Sequence, residues 1–433
     1  MSTNNKKTFV GFGFGPIQSA LFLYEAYRSG NFSRFVVSEI DQALVDAVRA
    51  NDGRYAINIA RKDRIDQFTL EGIELYNPRH DDDRKRIIAA IAESDEMATA
   101  LPSVKIYSAG GETGVVGLLA AGLAGSESVR PKIIYAAENH NHAAEVLMDL
   151  LIENAPAGAV DNVQTLNTVI GKMSGVIADQ PTIQRMNLAT ITPSIDRAIL
   201  VEEFNRILVS RVTAPGYRRG IDVFIEKPDL LPFEEAKLYG HNAIHALIAY
   251  LADLAGLDTV AQAAGRDDIM AIARQAFIDE SGAALIRRHQ SLGDPLFTAD
   301  GYRDYADDLL ERMVNPNLND LVARVGRDHV RKLGYDDRLY GTMHLALQYG
   351  VKPTNLALGA AAGVVSLIRR KPDTPQPLPL PDSPDQLTEP GLRELLLAIW
   401  KDGKKLDDHG QTMIEMTWNA LQTLIRRGIP ANR

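Results

Sequence analysis

Thr8-Phe9-Val10-Gly11-Phe12-Gly13-Phe14-Gly15-Pro16-Ile17-Gln18 begins as a short apolar run and breaks on a cluster of glycines. Ile17, Ala20, Leu21 and Tyr24 then recur at helical spacing, so the stretch reads as strand, glycine turn and helix. In that context a glycine fingerprint holds the pyrophosphate of a dinucleotide, with the helix N-terminus facing the anion. Two frames are available. Starting at Gly11 puts Pro16 on the third glycine position. Starting at Gly13 makes Gly15 the second glycine, puts Pro16 in the first helical turn, where proline is favoured, and leaves Gln18 in the third place. We adopt the second frame, in which Gln18 replaces the glycine that normally permits close helix–strand packing.

Working outward, Phe35-Val36-Val37-Ser38 is a second strand that ends on Glu39, 26 residues after Gly13. An acid at that strand tip binds the ribose hydroxyls of an adenosine and repels a 2′-phosphate, which favours NAD over NADP. Gly13, Gly15, Pro16, Ile17, Gln18 and Glu39 are thus the expected cofactor contacts. Alternation continues with a helix at 42–49, a strand at 55–58, a helix at 84–92 and a strand at 104–108. That strand leads into Ala109-Gly110-Gly111, a second glycine turn that adds Gly110 to the cofactor contacts. After a helix at 115–123, Ile133-Ile134-Tyr135-Ala136-Ala137 is a buried strand delivering Glu138-Asn139 at its carboxyl end. Ligands of open α/β sheets bind at that end. Asn139 is therefore a site candidate, its alternative being a loop cap for the helix that starts near Ala143.

Beyond residue 192 the pattern turns helical, at 202–209, 233–257, 269–275, 302–313, 317–325 and 342–349. The expected organisation is a Rossmann-like α/β domain over 1–192 and a mainly α-helical domain over 193–371. A proline-rich connector over 372–390, with seven prolines, and terminal helices over 391–433 complete it. The most apolar helix carries Lys237-Leu238-Tyr239-Gly240-His241-Asn242-Ala243-Ile244-His245. On an unbroken α-helix at ~100° per residue, Asn242 lies ~140° and His245 ~80° round from Lys237. An amine that can take a proton, beside an amide that can hold a developing oxyanion, suits carbonyl/alcohol interconversion. Taken singly, each of these side chains also reads as an ordinary solvated helix position.

Composition narrows the classes. The chain has 433 residues, 45% apolar and 24% charged, as in a soluble globular protein of two or three domains. A net charge of −9 argues against general binding to nucleic acid or an anionic membrane. With no cysteine there is no disulfide frame, thiolate nucleophile or Cys-ligated zinc, which fits a cytoplasmic protein. Lys6 and Lys7 precede an apolar stretch over 8–24, but Gly13, Gly15, Pro16 and Gln18 interrupt it, so no leader is expected. The apolar runs at 115–125 and 243–252 fall short of the ~20 residues that a membrane span requires.

With a Rossmann-like half followed by Lys-x4-Asn-x2-His, residues 8–365 resemble the polyol-specific long-chain dehydrogenases, and among them the mannitol-1-phosphate 5-dehydrogenase branch. Ser38-Glu39, Glu138-Asn139, Ser194-Ile195-Asp196-Arg197, Lys237 through Leu251, Glu280-Ser281-Gly282-Ala283, Asn315-Pro316, Arg324-Val325-Gly326-Arg327 and Arg331-Lys332-Leu333 carry the resemblance. It implies a metal-independent NAD enzyme oxidising a secondary alcohol of an open-chain polyol phosphate, of the mannitol 1-phosphate to fructose 6-phosphate type. In that reading Lys237 is the general base, Asn139 and Asn242 hold the oxygen, and His245 contacts a hydroxyl. His140-Asn141-His142 stands where that branch carries Met-Val-Arg, so His142, Arg197, Arg331, Lys332 and Arg338 are left to seat the substrate. The same chemistry on an unphosphorylated polyol or a sugar acid is the alternative. Two further rivals are a zinc pocket of His140, His142, His241 and His245, and a non-catalytic dinucleotide sensor. The zinc pocket is disfavoured because Asn242 stands where a metalloprotease carries glutamate, and the sensor because Lys237, Asn242 and Asn139 are retained together. The expected partner is a small molecule, with the chain a monomer or small homo-oligomer.

Overall fold

A computed structural model describes residues 7–126, 130–204, 206–372, 377–400 and 407–426. Lys6 and residues 373–376 of the proline-rich stretch lie outside them. The chain divides into two compact units, Met1–Leu231 and Pro232–Arg433.

The first unit holds β1 (Lys7–Phe12), β2 (Phe32–Ser38), β3 (Tyr55–Ala60), β4 (Ile65–Leu70), β5 (Ile73–Tyr76) and β6 (Glu96–Thr99). After these come β7 (Lys132–Ala136), β8 (Val163–Val169), β9 (Ser174–Ile177), β10 (Ala198–Glu202), β11 (Leu208–Ser210) and β12 (Ile225–Lys227). Eight strands form one sheet in the order β12-β11-β8-β7-β6-β1-β2-β5. The run from β8 to β5 is parallel throughout. Counted in chain order among themselves, those six strands lie 3-2-1-4-5-6, the doubly wound arrangement that binds dinucleotides where the order reverses. Here the reversal falls between β1 and β6. Phe9, Val10, Val36, Val37, Met97, Ile133 and Ile134 are all buried, as expected of a parallel sheet covered on both faces.

A second sheet, β4-β3-β10-β9, completes the unit. The strand expected at 55–58 therefore forms, but in this sheet rather than in the main alternation. The strand expected at 104–108 does not form. Val104–Ile106 is a 3-10 turn, and the central strand is Glu96–Thr99, whose acid and hydroxyl are buried. Its polar ends hid it from an apolar reading. The helix expected at 202–209 is instead the end of β10 followed by β11. Short apolar runs do not distinguish strand from helix, and strands continue past residue 192 until the units divide at Leu231.

The second unit is helical. At its core is the helix Thr354–Arg370, where every residue from Leu356 to Ile368 is buried. A Cβ on Gly359 would stand 2.7 Å from Leu247, and one on Gly363 3.0 Å from Tyr250. These small residues let the helix cross Ala243–Leu254 closely. The C-terminal helices Glu389–Ile399 and Asp408–Arg426 belong to this body. Tyr340 pairs with Thr417 at 3.2 Å, and Trp400 donates to the Leu333 carbonyl at 2.9 Å. Among the described residues no helix is long and apolar enough to cross a membrane.

Candidate active site

The carboxyl ends of β1, β2, β6 and β7 gather the sequence-derived residues of the first unit. Gly13 has φ +84° and donates to the Ser38 carbonyl at 2.9 Å, so the turn requires a residue without a Cβ. Gly15 is exposed, with nothing within 4 Å of where a Cβ would be, and its carbonyl accepts both the N–H and the hydroxyl of Ser19. Bare backbone at a helix start, at the switch point of a parallel sheet, fits a pyrophosphate. Pro16 and Ile17 form the first helical turn. Gln18 opens a π-helical turn, Gln18–Phe22, and its side chain is wholly buried. A Cβ on Gly11 would meet its Nε2 at 2.3 Å. The glutamine thus faces the strand beneath rather than a ligand, and Gly11 supplies the room that the fingerprint's third glycine normally gives.

Glu39 folds onto its own turn, its carboxylate accepting the N–H of Ile40 at 2.7 Å and of Asp41 at 2.8 Å. Arg197 binds the same turn, its Nη2 2.6 Å from the Asp41 carboxylate. Gly110 and Gly111 both have positive φ and are exposed. Their loop is tied down by Tyr107, whose hydroxyl donates to buried Glu138; Glu138 also accepts from Thr99 and from the Leu101 N–H, each at 2.9 Å. Burial raises the Glu138 carboxyl above its usual range. The next residue, Asn139, is exposed and its amide makes no hydrogen bond among the described residues. His140 and His142 are exposed on the same loop, with ring centroids 6.3 Å apart.

In the second unit Lys237 lies in a π-helical turn, Ala236–Asn242, between the helices Leu231–Glu235 and Ala243–Leu254. The helix is therefore not unbroken, and the difference matters. With i→i+5 bonding, Asn242 takes the place that residue i+4 holds in an α-helix, about 40° from Lys237. Three α-helical residues further, His245 falls about 20° to the other side. The π turn thus brings the amine, amide and imidazole closer to one direction than the α-helical reading allowed. The irregular turn is held in place by neighbours. The Tyr239 carbonyl accepts from Ser281 at 2.8 Å and from Thr342 at 3.2 Å. A Cβ on Gly240 would stand 2.8 Å from the Tyr302 hydroxyl and 2.9 Å from Phe277.

Lys237 makes no hydrogen bond or ion pair among the described residues. Burial pulls its pKa down to about 8; the charge of Arg338 pushes the same way and Glu234 opposes. At pH 7 roughly one such lysine in ten is neutral, against about one in several thousand for a solvated one. Buried His241 is held neutral by desolvation, helped by His245 and Arg312. His245 has a partner that no local sequence signal revealed. Its Nε2 lies 3.0 Å from the carboxylate of Asp320, a side chain buried far along the chain and also bound by Arg324. Arg338 is largely buried and bound to Asp337 at 2.8 Å, while Arg331 lies 3.4 and 3.5 Å from Asp328 and Asp337.

Comparison with known proteins gives a matching family and a matching fold. Residues 229–390 match the family model described as the mannitol dehydrogenase C-terminal domain. D-sorbitol dehydrogenase in its substrate-free form superposes with a TM-score of 0.72 at 14% identity, over 98% of this chain and 94% of that one. Pseudomonas fluorescens mannitol 2-dehydrogenase, in a ternary complex with NAD and D-mannitol, superposes with a TM-score of 0.66 at 16% identity, over 98% and 93%.

Proposed function

We propose that this chain, whose residues 229–390 match the mannitol dehydrogenase C-terminal domain, is a polyol dehydrogenase that oxidises a secondary alcohol of an open-chain polyol using NAD. The observation that carries this reading is Lys237: a half-buried amine with no ion partner among the described residues, pulled to about 8, on a π turn whose ideal geometry sets Asn242 and His245 to the same side. Lys237 takes the hydroxyl proton. Asn242 donates to the oxygen as it gains negative charge, with Asn139 as a second donor, and His245, whose Nε2 lies 3.0 Å from Asp320, fixes a neighbouring hydroxyl. NAD, when bound, supplies the hydride acceptor. Gly13 and Gly15 leave backbone bare for its pyrophosphate, and Glu39 faces its ribose. Proton transfer to an amine and charge stabilisation by amides need no Lewis acid.

A neutral polyol is the substrate best supported. The three arginines named above as candidates to seat a phosphate are engaged by carboxylates in this structure, so a phosphate would have to displace them: Arg197 has Asp41, Arg338 has Asp337, and Arg331 has Asp328 and Asp337. One observation favours a phosphorylated polyol as a second reading. Buried Lys332 is pulled to about 7 by desolvation, with Arg338, Arg331 and Arg327 adding positive potential that a phosphate would offset. NADH formation across hexitols, hexitol phosphates and aldonates, with a chelator present, decides between them. Turnover of a free hexitol is expected. Turnover of the phosphates alone would install the second reading, and NADH from none of them would leave a non-catalytic dinucleotide-binding protein.

A further inference from the structure

At the tip of β2 three charged side chains form one group. The Glu39 carboxylate is folded onto the N–H groups of Ile40 and Asp41. Asp41 caps the helix Gln42–Ala50 through the Leu44 N–H at 3.3 Å, and its other oxygen binds Arg197 Nη2 at 2.6 Å. Arg197 reaches this position because it immediately precedes β10 of the second sheet. Among substrate-seating candidates it therefore stands apart, since its partner Asp41 donates its N–H to the acid expected to face the ribose.

We propose that Arg197 is a latent ligand for a 2′-phosphate on the adenosine ribose, kept closed by Asp41, so that Glu39 and Asp41 together set the preference for NAD. This rests on the reading that the first unit holds a dinucleotide with Glu39 at its ribose. A planar guanidinium beside the strand tip is what a 2′-phosphate requires. Here the guanidinium is already occupied, and the trio sums to one negative charge. Arg197 also holds the Asp41 carboxyl below the usual carboxylate range. The pair is nearly two-fifths exposed, so opening it disturbs the fold little. Asparagine caps a helix about as well as aspartate, so Asp41→Asn releases Arg197 without removing the cap.

The consequence is non-additivity. Glu39→Ser alone removes one repulsion but leaves Arg197 engaged, and Asp41→Asn alone frees Arg197 but leaves Glu39 facing the phosphate. Dissociation constants for NAD and NADP are to be measured for the wild type, both single variants, the double variant, and the double variant carrying Arg197→Ala. Glu39→Ser should weaken NAD binding and narrow the NAD/NADP ratio about tenfold. The double variant should favour NADP by a further factor of about ten beyond the product of the singles, and Arg197→Ala should cancel that excess. Additive singles, or an excess that survives Arg197→Ala, would overturn the role of Arg197 while leaving Glu39 as the ribose ligand. If Glu39→Ser leaves NAD affinity unchanged, the ribose site lies elsewhere and the proposal falls together with the reading beneath it.

Discussion

At the scale of single residues the proposed site is defined by what has a partner and what lacks one among the described residues. His245 Nε2 lies 3.0 Å from Asp320 and Arg338 is bound to Asp337, while Lys237 has no hydrogen-bond or ion-pair partner among the described residues and burial depresses its pKa to about 8. A base works in its neutral form, which predominates above its pKa. Alcohol oxidation should therefore rise with pH through an ionisation near 8, and carbonyl reduction, which needs the ammonium as acid, should fall over the same range. Lys237→Ala should lose about 10²–10⁴-fold in kcat and the ionisation with it, with NAD affinity little changed. Asn242→Ala and Asn139→Ala should each cost on the order of 10²-fold in kcat by removing an oxyanion donor. Steady-state turnover at several pH values tests all three, and near-wild-type kcat with an unchanged pH profile in Lys237→Ala would move the base to another residue.

At the scale of elements the π turn Ala236–Asn242 converts a helix position into a candidate site, and it persists only because its surroundings satisfy it. Ser281 and Thr342 together hold the Tyr239 carbonyl. Removing both hydroxyls, by Ser281→Ala with Thr342→Val, leaves a buried acceptor unpaired at a cost of about 1–3 kcal/mol. The expected outcome is a lower midpoint in denaturant together with a fall in kcat at unchanged NAD affinity; a stability loss with kcat intact would separate the turn from catalysis. This element also shows where sequence reading stops. The glycine turn and Glu39 were legible because turn chemistry and spacing along one strand–helix unit are local. The Lys-x4-Asn-x2-His set was legible as residues but not as geometry, since a regular helix advances ~100° per residue and nothing in the letters marks an inserted π turn. Thr354–Arg370 escaped because it is apolar and small on every side and so shows no amphipathic period. Asp320 meets His245 only through tertiary packing.

At the scale of the whole molecule, an acidic protein with net charge −9 has enclosed several lysines, and that has a measurable consequence. Lys132 in the first unit is pulled by burial to about 8, its Nζ donating to the Ala92 carbonyl at 2.9 Å. Lys332 in the second is pulled to about 7, donating to Val325, and Lys237 to about 8. For each, the folded pKa lies below the unfolded value of ~10.4. Between about pH 7 and 10 these lysines therefore bind more protons in the unfolded chain than in the folded one, and their contribution makes stability rise with pH across that window. The direction reverses above pH 10, because burial raises Tyr55, Tyr135, Tyr302 and Tyr340, so there the folded state holds protons that the unfolded chain releases. The expected profile is a thermal midpoint climbing from pH 7 to about 10 and then falling. Lys332→Met should flatten the climb whatever it does to the midpoint at pH 7, because methionine carries no proton to lose. A wild-type midpoint that declines steadily from pH 7 upward would mean that these lysines keep their solvated affinity for protons, and the depressed pKa assigned to Lys237 as the base would lose its physical footing with them.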